Sequence, residues 1–128
     1  MVAYADASAI VKLILDEAGS AAMYRWYVEL ARVATSRVGV VETVRAAMRR
    51  PHDEARRARV LGGLEVIDLS RPIARRAETV GQATLRTLDA IHLASALALG
   101  LDLEAFVTYD DRLAAAARQL GLPVVRPA

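Results

Sequence analysis

The stretch Val2-Ala3-Tyr4-Ala5-Asp6-Ala7-Ser8 decides how this chain is read. A short apolar run ends abruptly in a carboxylate, and a second segment, Ala9-Ile10-Val11-Lys12-Leu13-Ile14-Leu15, begins at once. The pattern is a strand turning into a helix. Asp6 or Ser8 is placed to cap that helix by accepting a backbone N–H bond. Asp6 also has a second reading, at the carboxyl end of a central parallel strand, which is the edge where α/β sheets bind ligands. The choice between cap and ligand site turns on whether other acids reach the same edge.

Outward from this start the chain alternates. Asp16 to Ser20 reads as a turn, and Ser20 to Val33 as a helix on which Met23, Trp26, Tyr27 and Leu30 recur at helical steps. That aromatic stripe fits core packing or, through Trp26 and Tyr27, a partner surface. Ala34-Thr35-Ser36 is a brief strand. A helix from Val38 to Arg50 carries Glu42 and stops at Pro51. Asp53 opens a helix, Glu54 to Leu61, whose Arg56, Arg57 and Arg59 form either a solvated face or a phosphate contact.

After Gly62-Gly63, Leu64 to Leu69 alternates like a strand, and a helix runs from Ser70-Arg71-Pro72 to Thr84. Thr87 to Leu99 is apolar nearly all round, hence a buried helix, and Gly100 closes it. Ala105 to Tyr109 is a strand ending in Asp110-Asp111. Arg112 to Leu120 is a helix, and Pro123 to Arg126 a last short strand. This βα alternation predicts an α/β protein, a three-layer α/β/α sandwich on a mainly parallel sheet. Residues 1–128 are expected to form one domain, the usual size of one core.

Composition narrows the function. Hydrophobic residues make up 55% of the chain and charged residues 25%, which excludes a disordered segment. There is no Cys, so neither disulfides nor a thiolate zinc site enter. No secretory pattern opens the sequence, and no apolar run approaches the ~18 residues that span a bilayer. No membrane association and a cytoplasmic location are therefore expected. The net charge is only +2, yet of the 17 basic residues Lys12 alone is lysine. Arginine forks suit phosphate, although an arginine- and alanine-rich composition is weak evidence for nucleic acid by itself.

The acids make a set. Asp6 and Asp110 each follow a short strand, so a parallel sheet puts both at one edge. Asp89 sits in the first turn of a buried helix, where an unpaired charge is costly. Glu42 lies on a helix that must pack on the sheet. Converging carboxylates repel, and protonation or a cation relieves the repulsion. Oxygen ligands without Cys suit Mg²⁺ or Mn²⁺. The two histidines are not spaced as a metal pair, and His92, one turn from Asp89, is expected to make a structural hydrogen bond.

Tyr4-Ala5-Asp6-Ala7-Ser8, Val41-Glu42, Leu88-Asp89-Ala90-Ile91-His92-Leu93-Ala94 and Val107-Thr108-Tyr109-Asp110 occur in the order of a PIN domain. Over essentially its whole length the chain resembles the VapC toxins of bacterial toxin–antitoxin pairs. The resemblance implies a metal-dependent endoribonuclease. In it, Asp6, Glu42, Asp89 and Asp110 are the catalytic, metal-holding acids, and Ser8 or Thr108 assists by hydrogen bonding. Asp111 falls where the family varies and is a supporting acid at most. The implied products carry a 5′-phosphate and a 3′-hydroxyl. The implied partners are RNA, a cognate antitoxin and a second copy in a homodimer.

Competing readings fit less well. A haloacid-dehalogenase-type phosphotransferase needs an Asp where Ser8 stands, and a response-regulator receiver needs a lysine near a later strand, whereas the sole lysine is Lys12. A catalytically silent interaction module on the same fold, or a solitary nuclease without an antitoxin, stays open on sequence alone.

Overall fold

Alternation along the first strand sorts the molecule into layers. Ala3 and Ala5 project to one side of the sheet, where they join Val33, Ala105 and Val107. Tyr4 projects to the other side with Phe106. The computed structural model describes residues 1–128. Its five strands are β1 (Val2–Ala5), β2 (Val33–Ser36), β3 (Glu65–Ile67), β4 (Leu103–Val107) and β5 (Val124–Val125). They form one sheet in the order β3-β2-β1-β4-β5, and every pairing is parallel.

Seven α-helices cover the sheet: α1 (Ala7–Ile14), α2 (Ser20–Tyr27), α3 (Arg37–Ala47), α4 (Glu54–Gly62), α5 (Arg71–Thr79), α6 (Thr87–Leu97) and α7 (Asp111–Gln119). Ala9, Ile10, Leu13 and Ile14 of α1 bury against the Ala3/Ala5 face, with Met23 of α2 and Ala47 of α3 beside them. Leu93 and Ala96 of α6 and Leu113 and Ala117 of α7 bury against the Tyr4/Phe106 face. The expected α/β/α sandwich is thus the observed one.

Small residues let these layers close. Ala90, Ala94, Ser95 and Ala96 are buried along α6. Gly39 of α3 permits a closer approach still. A β-carbon there would lie 2.3 Å from Thr35 Oγ1 and 3.2 Å from His92 Cε1.

The order of strands places the site. From central β1 the chain moves to β2 and β3 on one side, then returns to β4 and β5 on the other. The carboxyl ends of β1 and β4 therefore flank the crevice where the winding reverses. The backbone N–H of Asp6 donates to the carbonyl of Val107 at 3.1 Å, holding the two strand ends together just beneath it.

Several elements are shorter than their patterns. The second helix ends at Tyr27, not Val33, because Val33 begins β2 and pairs with Ala3. Helix α5 stops at Thr79 rather than Thr84. Val80 is already extended and Gly81 takes φ +70°, a left-handed conformation suited to glycine. Helix α6 ends at Leu97, and Gly100 (φ +56°) instead opens a 3-10 turn, Gly100–Asp102. Strand β4 runs Leu103–Val107; the Thr108 N–H still donates to the Val125 carbonyl of β5 at 3.3 Å, and Tyr109 follows on the rim of the crevice.

Candidate active site

Asp6 is both a cap and a site residue. Its Oδ1 accepts from the backbone N–H of Ala9 at 3.1 Å, which caps α1, and from Ser8 Oγ at 2.7 Å. Its Oδ2 accepts from Thr108 Oγ1 at 2.6 Å. Only 4% of the residue is exposed. Burial pushes the Asp6 carboxyl above the usual carboxylate range, and the Thr108 and Ser8 hydroxyls pull the other way. The same hydroxyls organise the rim. Ser8 Oγ accepts from the Tyr109 N–H at 2.8 Å, and Thr108 Oγ1 accepts from the Asp110 N–H at 3.0 Å. Ser8 and Thr108 thereby bind one acid and position the backbone leading to another.

Asp110 caps α7, its Oδ1 accepting from the N–H groups of Arg112 and Leu113 at 2.9 and 3.0 Å. Asp89, in the first turn of α6, has its carboxyl raised by burial first and by the charge of Asp110 next, with Glu42 adding to the same effect. Arg86 offsets part of this from 3.7 Å. Asp89, Asp110 and Glu42 therefore share one electrostatic neighbourhood. Glu42 Oε1 lies 2.6 Å from His92 Nε2, and His92 Nδ1 lies 2.6 Å from the Tyr4 hydroxyl. The structural bond expected for His92 is present, but its acidic partner is Glu42, on another helix, rather than Asp89.

Other expected residues are placed elsewhere. Asp111 is exposed and pairs with Arg126 at 2.6 Å. Trp26 and Tyr27 are half-buried against the core beneath α2, next to fully buried Met23. Tyr27 also lines a groove of about 430 Å³ with Leu13, Tyr24, Arg56, Arg59 and Val60, which Trp26 does not reach. Arg56 of the basic helix is structural. Its Nε donates to the Leu13 carbonyl at 2.7 Å and its Nη1 pairs with Asp16 at 3.1 Å. Lys12 is bound to Glu17 and the Ala18 carbonyl, and lies over the Tyr109 ring.

Four arginines also stand around the acids, and Tyr4 and Ser36 connect to Glu42 through His92. One depression beside the acids is lined by Ser8, Val11, Glu42, Arg45, Arg49 and Leu88. A second, on the far side, includes Arg86, Asp89, Arg112 and Gln119. Helical spacing was the available signal for Arg45 and Arg49, which stand three and seven residues beyond Glu42 on or just past α3.

The donor chemistry here fits a hard divalent cation. The acids offer oxygen alone, and two of them, Asp6 and Asp89, have carboxyls raised by burial. As the side chains stand, no three His, Asp or Glu groups are close enough to hold an ion.

The sequence profile of the PIN domain matches residues 3–119. The chain belongs to the PIN-domain family. Within it the chain groups with the VapC ribonucleases. It is 39% identical over 130 residues to Ribonuclease VapC47 of Mycobacterium tuberculosis, spanning 97% of this chain and 96% of that protein. It is 41% identical over 131 residues to Ribonuclease VapC35 of the same species, with coverage of 97% and 96%. Among solved structures, the sarcin–ricin-loop-cleaving toxin VapC20 of M. tuberculosis superposes with a TM-score of 0.75 at 20% identity, covering 99% of this chain and 100% of that one. A toxin–antitoxin complex from Klebsiella pneumoniae gives 0.72 at 24% identity, covering 98% of each chain. The structural likenesses carry the PIN fold, and the roles of this PIN domain's acids rest on its own side chains.

Proposed function

We propose that this PIN domain, residues 1–128 taken as one unit, is an endoribonuclease toxin that hydrolyses RNA phosphodiester bonds in the cytoplasm and is held in check by an antitoxin. The observation that carries the reading is Asp6 held by Ser8 and Thr108 at the β1/β4 crevice, together with the repulsion that Asp110 and Glu42 exert on Asp89. Asp6, Glu42, Asp89 and Asp110 would hold Mg²⁺ or Mn²⁺. When bound, such an ion lowers the pKa of water and stabilises charge on phosphate. Asp6, fixed by three donors, anchors the centre. The Ser8 and Thr108 hydroxyls oppose the effect of burial on Asp6. Arg45 and Arg49 on one side, with Arg86 and Arg112 on the other, offer guanidinium forks to a strand that the acids alone would repel.

The names of the relatives support the antitoxin, since solved neighbours include toxin–antitoxin complexes. The groove beside Tyr27 suits an apolar anchor from such a partner, and an Arg or Lys from it would pair with the acids in place of the ion. Exposed Val41, Met48 and Leu88 give apolar surface for a second copy of the chain in a homodimer. No helix is long and apolar enough to cross a membrane.

The test is RNA cleavage by folded Asp6→Asn and Asp89→Asn. Each is expected to lose at least ~100-fold in rate, a barrier change of about 2.7 kcal/mol. Turnover close to wild type in folded Asp6→Asn would overturn the assignment.

A further inference from the structure

Tyr4 and His92 form a buried polar link to Glu42, and the proposed chemistry gives neither of them a role. Tyr4 is fully buried, and 2% of His92 is exposed. The Tyr4 ring stacks on Phe106 at 5.4 Å between centroids and meets His92 edge-on at 5.8 Å. Tyr4 Oη lies 3.1 Å from the Ser36 backbone nitrogen and 2.6 Å from His92 Nδ1, and His92 Nε2 lies 2.6 Å from Glu42 Oε1.

Both ends of this chain impose the same direction on its protons. The Ser36 amide has only a proton to give, so Tyr4 Oη accepts there and keeps its own proton free for His92 Nδ1. At the other end an ionised Glu42 only accepts, so His92 Nε2 carries the ring hydrogen. The opposite tautomer would set two lone pairs against each other at 2.6 Å. A neutral ring is thus held in the Nε2–H form.

We infer that Tyr4 and His92 are positioning residues for Glu42, transmitting a hydrogen-bond direction set by the β2 backbone to one carboxylate oxygen and leaving the other free for a cation. The inference rests on the reading of Glu42 as a ligand. The Glu42 side chain is 31% exposed, so water would satisfy it without a buried histidine. What the histidine adds is order. Glu42 is a long side chain whose rotamer freedom must be lost before it can ligate. Carboxylates that bind metals are themselves hydrogen-bonded, and these outer partners set ligand orientation. The fold also leaves room for the ring, because Gly39 presents no β-carbon, and one there would stand 3.2 Å from His92 Cε1.

The experiment uses the full chain without RNA. Mn²⁺ binding is measured by calorimetry for wild type, Tyr4→Phe and His92→Gln, and the ¹⁵N NMR spectrum of the His92 ring is recorded without metal. Tyr4→Phe removes one oxygen and keeps the stack on Phe106. The wild-type ring is expected as the Nε2–H tautomer, and Tyr4→Phe, in which Glu42 still favours that tautomer, is expected to leave Nδ1 without its donor and the ring less firmly held. Mn²⁺ affinity is expected to fall ~10-fold in both variants. If His92→Gln does not fold, Tyr4→Phe decides. A wild-type ring protonated at Nδ1, or unchanged Mn²⁺ affinity in Tyr4→Phe, overturns the inference and leaves the proposed function standing. Failure of wild type to bind Mn²⁺ overturns the metal reading itself, and the role of Glu42 with it.

Discussion

Replacing Thr108 by valine removes one buried oxygen and nearly preserves shape. That oxygen donates to Asp6 Oδ2 at 2.6 Å and accepts from the Asp110 N–H at 3.0 Å. A hydrogen bond to a charged group contributes about 1.5–3 kcal/mol, and an orphaned amide costs roughly 1 kcal/mol more. Thr108 is fully buried, so no water replaces the missing donor. Where Asp6 is ionised, Thr108→Val is therefore expected to destabilise the protein by about 2.5–4 kcal/mol. The cost depends on pH in a definite direction. Burial raises the Asp6 carboxyl and the Thr108 hydroxyl is the largest opposing pull, so the variant's Asp6 is raised further. The stability that Thr108 supplies is present where folded Asp6 is ionised, and is lost as pH falls and Asp6 is protonated. Urea unfolding of both proteins at neutral and acid pH reads this directly. A difference that is the same at both pH values, or within about 0.5 kcal/mol of zero, refutes the placement of Thr108 as a donor to the Asp6 carboxylate.

Three further outcomes are expected. Asp89 is raised by burial and by Asp110, so its contribution to stability is present below the unfolded carboxylate range and lost as pH rises through its folded value. In chelator, Asp89→Asn should then melt above wild type at neutral pH, with the gain vanishing in acid, and a scan of Tm against pH checks it. Gly39→Ala sets a β-carbon 2.3 Å from Thr35 Oγ1. Overpacking of about 1–3 kcal/mol should outweigh the ~1 kcal/mol gain in helix propensity. Thr35 Oγ1 has no hydrogen-bond partner, so adding Thr35→Ala should relieve the clash in a double-mutant cycle. Arg45→Glu with Arg49→Glu should weaken binding of single-stranded RNA and flatten its salt dependence by ~0.7 in slope for each phosphate no longer neutralised, as measured by filter binding across a salt series.

Much of the fold was legible because local signals agreed with global ones. Asp6 reads at once as a cap and as the end of a parallel strand, and it is both. The apolar run of α6 and the acids following β1 and β4 pointed to the crevice from sequence alone. Element ends were less legible where tertiary pairing competed with helical periodicity, as when β1 recruited Val33 into β2. The partner of His92 was hidden for a related reason. Asp89 lies one turn away along α6, whereas Glu42 reaches the ring from α3 across a close approach that depends on Gly39. Sequence spacing describes neighbours on one helix and is silent on neighbours between two. Arg56 illustrates the same point. Within a run of arginines it looks like a solvated charge, yet it closes the end of α1 by donating to the Leu13 carbonyl.

The most direct test of the central claim is a metal titration of RNA cleavage by the wild-type chain. Single-stranded RNA is incubated with protein in excess chelator, and Mg²⁺ or Mn²⁺ is then added back. The acids at the β1/β4 crevice require that cleavage be absent in chelator and return with the ion, giving products with 5′-phosphate and 3′-hydroxyl ends. Full cleavage in excess chelator would contradict the account, because carboxylates alone would then be performing the hydrolysis assigned to them together with a cation.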